Sequence, residues 1–189
     1  VGLAQQTSHG SHGSHGTPTS PATKPSSIFV TDVTGLPSVV PSPEVKLADG
    51  ESFELVAAPA KQNIGGQWIR RLAYNGSIPG PIFRVKQGNT VRITLKNESG
   101  IGTTLHPHGL RIDTQNDGVP GIGQDAIKDG ESFEYTLQFP DAGVYWYHPH
   151  AREDYSQDAG LYGVFIVEPS NSDAFNRVHR EIPLVLDDI

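Results

Sequence analysis

From about residue 44 onward, the chain breaks into short stretches rich in β-branched and aromatic residues, divided by Gly, Pro, Asn and Asp. Alternation of that kind is the mark of half-buried strands. It predicts strands near 51–58, 67–74, 82–86, 90–97, 103–112, 131–138, 143–148 and 161–168. Turn-forming residues sit between them, at Asn75-Gly76, Pro79-Gly80-Pro81, Gln87-Gly88-Asn89, Asp117-Gly118, Asp129-Gly130 and Asp141-Ala142-Gly143. No segment keeps a 3.6-residue period over a helical length. Short strands at this spacing predict an all-β fold, a Greek-key sandwich or small barrel. Its apolar core is expected to draw on Phe53, Leu55, Trp68, Ile69, Phe83, Val85, Val91, Ile93, Leu95, Phe133, Leu137, Phe139, Val144, Phe165 and Val167.

The two ends depart from this pattern. Residues 1–27 are Ser, Gly, Thr and Pro with almost no large apolar side chain after Leu3. Such a stretch buries too little surface to offset its ordering entropy, so residues 1–43 are expected to be a disordered tail and linker. Within it, Ser-His-Gly occurs three times in succession, placing His9, His12 and His15 where they could hold copper or zinc loosely; a solvated linker is the plainer reading. VGLA before Gln5 resembles the last residues of an export signal. At the other end, EIPLVLDDI (181–189) reads as a strand beginning after the sandwich domain of 44–170, so 171–189 is expected to be a linker and the first strand of a following domain. The chain then reads as one piece of a longer polypeptide, truncated or cleaved.

Composition narrows the function. A net charge of −7 disfavours nucleic acid and anionic membranes as partners. No stretch approaches the ~20 apolar residues that span a bilayer. Cysteine is absent, which excludes disulfides, thiolate nucleophiles and sulfur-ligated metal sites built from this chain alone. Glycine (21) and proline (15) make up about a fifth of 189 residues, in keeping with a turn-rich chain.

Four of the eight histidines form two identical motifs, His106-Pro107-His108 and His148-Pro149-His150. On an extended segment residues i and i+2 share a face, about 6–7 Å apart at the backbone, so each motif aims two imidazoles the same way. The central proline removes a ladder donor and predicts a strand end or an edge strand for both. Imidazoles so arranged, without a nearby cysteine or serine nucleophile, point to a metal site. The spacing suits two adjacent ions, or one shared between the pairs, and imidazole accepts copper, zinc, iron or nickel alike.

Further motifs, in order, carry a resemblance: Asn75-Gly76-Ser77-Ile78-Pro79-Gly80-Pro81, Gln87-Gly88-Asn89, His106-Pro107-His108-Gly109, Asp117-Gly118, His148-Pro149-His150, Gly160-Leu161-Tyr162-Gly163 and Val167-Glu168. Over roughly 50–189 the sequence resembles the N-terminal cupredoxin domain of laccase-like multicopper oxidases. The resemblance implies a cupredoxin fold and a trinuclear copper cluster that reduces dioxygen to water. His106 would ligate the type 2 copper, and His108, His148 and His150 the paired type 3 coppers. Asp117 would be the catalytic carboxylate that orients cluster water and helps deliver protons. It further implies a secreted or periplasmic parent enzyme that oxidises phenolic or aromatic donors, or metal ions. The family's cluster takes eight histidines, four of them from another domain, and its electron entry needs a cysteine. This chain alone is therefore expected to be inactive, with the remaining cupredoxin domains as partners on the same or a companion polypeptide. A non-enzymatic copper-binding module for resistance or delivery is the alternative. Trp146 and Tyr147 are expected to pack beside the metal. Arg152, Glu153, Asp154 and Asp158 read as a solvated loop or as groups supporting the ligands. Asn75 and Asn97 head glycosylation sequons.

Overall fold

The chain is described from a computed structural model that covers residues 30–171, 173–176 and 178–187. The Ser-His-Gly tract and the export-like segment lie outside the described residues.

Nine strands and one short helix follow in order: β1 (Glu44–Leu47), β2 (Ser52–Ile64), β3 (Gln67–Tyr74), β4 (Ile82–Lys86), β5 (Thr90–Asn97), β6 (His106–His108), β7 (Ser132–Gln138), β8 (Gly143–His148), α1 (Glu153–Ser156) and β9 (Gly163–Glu168). They form two sheets, ordered β1-β4-β9-β8-β6 and β3-β2-β5-β7. Both sheets are mixed, with three parallel pairs (β1 with β4, β4 with β9, β2 with β5) beside antiparallel ones, so the chain crosses repeatedly between the sheets. This is the cupredoxin-type Greek-key sandwich that the strand pattern and the resemblance predict. No helix among the described residues is long and apolar enough to cross a membrane.

Inward residues of both sheets close the core: Leu55 and Ala57 from β2, Val91, Ile93 and Leu95 from β5, Phe83 and Val85 from β4, Phe165 and Val167 from β9. Burying each large side chain contributes roughly 1.5–3 kcal/mol. Phe83, Tyr147 and Phe165 pack against one another within it, with centroids 5.0–5.6 Å apart. Three expected core residues lie outside, one of them Ile69, half-buried on β3 and apart from the core cluster. Trp68 is half exposed at the tip of the β2–β3 hairpin, where Lys61 Nζ stands 5.3 Å over its ring. Val144 faces outward from β8, because alternation along β8 puts Tyr145 and Tyr147 on the inner side.

The strand boundaries differ from the sequence pattern in three places. β2 runs on through Pro59 to Ile64. Beyond Ala57 it has left β5; its second edge there meets only a bridge at Lys61 to the segment around Ser38, so Pro59 interrupts no second ladder. Gly65 and Gly66, both at positive φ, then close a two-residue hairpin. β1 was not foreseen; its parallel pairing with β4 is a non-local contact that no local pattern announces. The expected strand 103–112 shrinks to the three residues of β6.

The residues before β1 are sewn to the sandwich rather than trailing from it. Val39 N–H donates to the Lys61 carbonyl, Val40 N–H to that of Gly76, and Ile82 N–H to that of Pro43. Residues 181–187 form no strand here, but ion pairs hold them to the domain: Glu181 to Arg84 at 2.9 Å and Asp187 to Arg71 at 3.3 Å. Both sequon asparagines are engaged by backbone. Asn97 is fully buried and donates to the Ile101 and Ile127 carbonyls, while Asn75 ties Val56 N–H and the Glu54 carbonyl.

Candidate metal centre

β6 is the edge strand of its sheet, and it pairs antiparallel with β8 in a register that sets His106 opposite His148 and His108 opposite Trp146. Pro107 therefore occupies the edge position that its missing N–H demands. Pro149 and His150 lie just past the end of β8. Directly opposed residues on one face of a sheet are near neighbours, and here this brings both histidine pairs together.

The ligand-capable nitrogens of His106, His108 and His148 all lie within 4.8 Å of one another. The His150 ring completes the group from the side, with its centroid 4.8 Å from that of His106 and 5.7 Å from that of His148. Main-chain carbonyls set two of the rings. His106 Nδ1 lies 2.6 Å from the Asp117 carbonyl oxygen and His148 Nδ1 lies 2.9 Å from that of Pro149. A carbonyl only accepts, so each Nδ1 carries a proton; in the neutral ring this leaves the lone pair on Nε2. His108 Nδ1 meets His148 Nε2 at 3.1 Å. An ion about 2.0–2.1 Å from each nitrogen, as imidazole ligands sit, fits that separation. A set of imidazole nitrogens converging from two strands is therefore suited to a transition metal.

His148 is 4% exposed, and its pKa falls to about 4. Burial is the main cause, with the other three histidines adding to it and the Pro149 carbonyl opposing. At neutral pH its lone pair is thus available to a metal. Trp146 stacks on His148 with centroids 3.9 Å apart and planes at 18°, so it packs beside the site as expected. Tyr147 points into the core, where its hydroxyl donates to the Pro81 carbonyl at 2.7 Å. Gly163 and Gly80 leave room for that ring, since a Cβ at either would strike it.

Asp117 lies beside His106, with Oδ1 3.3 Å from Nδ1 and its side chain one-third exposed. Its carbonyl makes the closer contact, a feature that residue type alone does not signal. Gly118 follows at φ +70, packed so tightly on the Leu105 carbonyl and His106 nitrogen that no side chain fits. Of the acidic loop, Glu153 stands 3.5 Å from His150 Nδ1, whereas Arg152 and Asp154 pair with each other in solvent.

Comparison with known proteins identifies the family. The multicopper oxidase family model matches residues 59–172. Copper resistance protein A of Pseudomonas syringae pv. tomato is 30% identical over 146 residues, 77% of this chain and 24% of that protein. Dihydrogeodin oxidase of Aspergillus terreus is 43% identical over 105 residues, 53% of this chain and 17% of that protein. Among solved structures, a multi-copper oxidase from Pseudomonas thermotolerans superposes with a TM-score of 0.64 at 33% identity, covering 69% of this chain and 32% of its own. The blue copper oxidase from Nitrosomonas europaea gives 0.62 at 32% identity, covering 65% of this chain and 40% of its own. The two sheets and the paired histidines define a copper-binding cupredoxin domain. The chain belongs to the multicopper oxidase family, whose metal is copper. It spans about a quarter of the length of the copper resistance relatives it matches.

Proposed function

We propose that this chain supplies one half of a trinuclear copper cluster in a multicopper oxidase. His106 would hold the type 2 copper, and His108, His148 and His150 the type 3 pair. The observation that carries the reading is the convergence of both His-Pro-His motifs across the β6–β8 pairing. Copper held by these histidines would supply one-electron redox chemistry, for the four-electron, four-proton reduction of dioxygen to two waters. The chain's own residues do the rest. The Asp117 and Pro149 carbonyls hold the imidazole protons on Nδ1 of His106 and His148 and so present Nε2. Trp146 covers the His148 ring and limits its movement. The Asp117 carboxylate, partly open to solvent beside His106, exchanges protons with water at the site. The remaining ligands and the cysteine for electron entry come from other cupredoxin domains. The donor is a phenolic or aromatic molecule or a metal ion, and the setting is periplasmic or secreted.

A second reading, a copper-binding module in resistance or delivery, has the similarity to copper resistance protein A in its favour. Both readings share the ligands, and the same experiment tests them. Native mass spectrometry of the chain loaded with Cu(II) should show bound copper that the double variant His108→Ala/His150→Ala loses. Equal copper content in the two would refute the assignment. Dioxygen consumption by the parent enzyme, lost in the same variant, separates the oxidase from the delivery module.

A further inference from the structure

We infer that Thr104 is a positioning residue that fixes the spacing of the two histidine pairs; the inference rests on the reading of those histidines as copper ligands. Thr104 lies two residues before His106, on the lead into β6, and is fully buried. Its Oγ1 accepts the backbone N–H of His150 at 2.8 Å, across 46 residues of sequence. His150 needs such a tie. It stands beyond the end of β8, past Pro149, where the β6–β8 ladder has ended. Its ring stands 4.8 Å from that of His106, on the very segment that Thr104 leads into.

The segment bearing Thr104 is itself fixed. Leu105 N–H donates to the buried Tyr135 hydroxyl at 2.9 Å, and Thr103 pairs with Ile127 through both backbone groups. Thr104 therefore transmits a rigid reference from the first pair to the fourth histidine. The neighbouring Thr103 is equally buried, yet its Oγ1 finds no partner among the described residues. The hydroxyl at 104 thus has an assignment that burial of a threonine does not require. Residues holding metal ligands in place typically change affinity by about 10–100-fold when lost.

The test compares Thr104→Val, which keeps the shape and removes the acceptor, with Thr104→Ser, which keeps the acceptor. Both are made in the full 189-residue chain. Cu(II) affinity is measured by competition with a chelator, and the His150 amide is followed by NMR in the metal-free chain. We expect Thr104→Val to weaken Cu(II) binding at least about tenfold and to expose the His150 amide to exchange, with Thr104→Ser close to the parent in both. A folded Thr104→Val that binds Cu(II) like the parent overturns the inference, as does a Thr104→Ser that fails equally. If Thr104→Val does not fold, the protected amide and retained affinity of Thr104→Ser still support the role, and their loss overturns it. His150→Ala, run alongside, separates the two failures. Normal Cu(II) binding by His150→Ala overturns the ligand reading and this inference together. Weakened binding there with normal Thr104→Val overturns the positioning role alone.

Discussion

Asp187 offers the sharpest test of how residues 181–187 belong to the domain. Its carboxylate accepts the Tyr162 hydroxyl at 2.6 Å and faces Arg71 Nη2 at 3.3 Å. Arg71 is 3% exposed, and its Nε has no partner among the described residues. The Asp187 carboxylate is thus the counter-charge of a buried guanidinium. Removing one partner of a buried pair costs about 3–5 kcal/mol, because the other charge stays buried. The Asp187 side chain is itself a quarter exposed, so water can reach the vacated space and lower the cost. We expect Asp187→Ala to destabilise the chain by about 2–3 kcal/mol. At roughly 2–4 °C per kcal/mol for a domain of this size, the melting point should fall by about 5–10 °C. Urea unfolding followed by tryptophan fluorescence reads the first number directly. Leu186→Ala is the control, since Leu186 is 94% exposed and should change stability by less than about 0.5 kcal/mol. In the double variant Arg71→Met/Asp187→Ala the loss should shrink, because no charge is left stranded. If Asp187→Ala behaves like Leu186→Ala, the buried pair does not anchor the segment and the reasoning fails.

Two further outcomes follow from the metal centre. The folded-state pKa of His148 lies near 4, below the 6.5 of an unperturbed histidine. The unfolded chain therefore binds more protons between those values, so stability is full above about pH 6.5 and is lost as pH falls toward 4. Denaturation of the metal-free chain across that range should show the slope, and His148→Gln should flatten it; an unchanged slope would remove His148 as its source. Gly118→Ala should cost more stability than Gly121→Ala. Both sit at positive φ, near +70 and +79, but only at 118 does a Cβ overlap the Leu105 carbonyl. Equal losses by thermal melting would mean that the close approach carries no weight.

Much of the architecture was legible along the chain. β3, β4, β5 and β8 begin and end where alternation and the flanking Gly, Pro and Asn residues place them. Local chemistry also identified the two His-Pro-His motifs and placed β6 at an edge through Pro107. β1 was invisible, since a four-residue strand owes its existence to a neighbour 38 residues away. Trp68, Ile69 and Val144 lie outside the core although all are apolar, because apolar character says nothing about which side of a sheet is covered.

The chemistry divides the same way. Residue type and a spacing of two determined that each motif presents a pair of imidazoles, because side-chain direction in a strand is a local property. That the pairs meet was decided by the β6–β8 register, which joins residues some 40 positions apart. The tertiary structure also decided which atoms meet the histidines: the carbonyls of Asp117 and Pro149 at two rings, and the hydroxyl of Thr104 at the His150 backbone N–H. Every residue has a carbonyl and every residue but proline an N–H to offer, so nothing in a sequence marks the few that matter; only the folded path selects them.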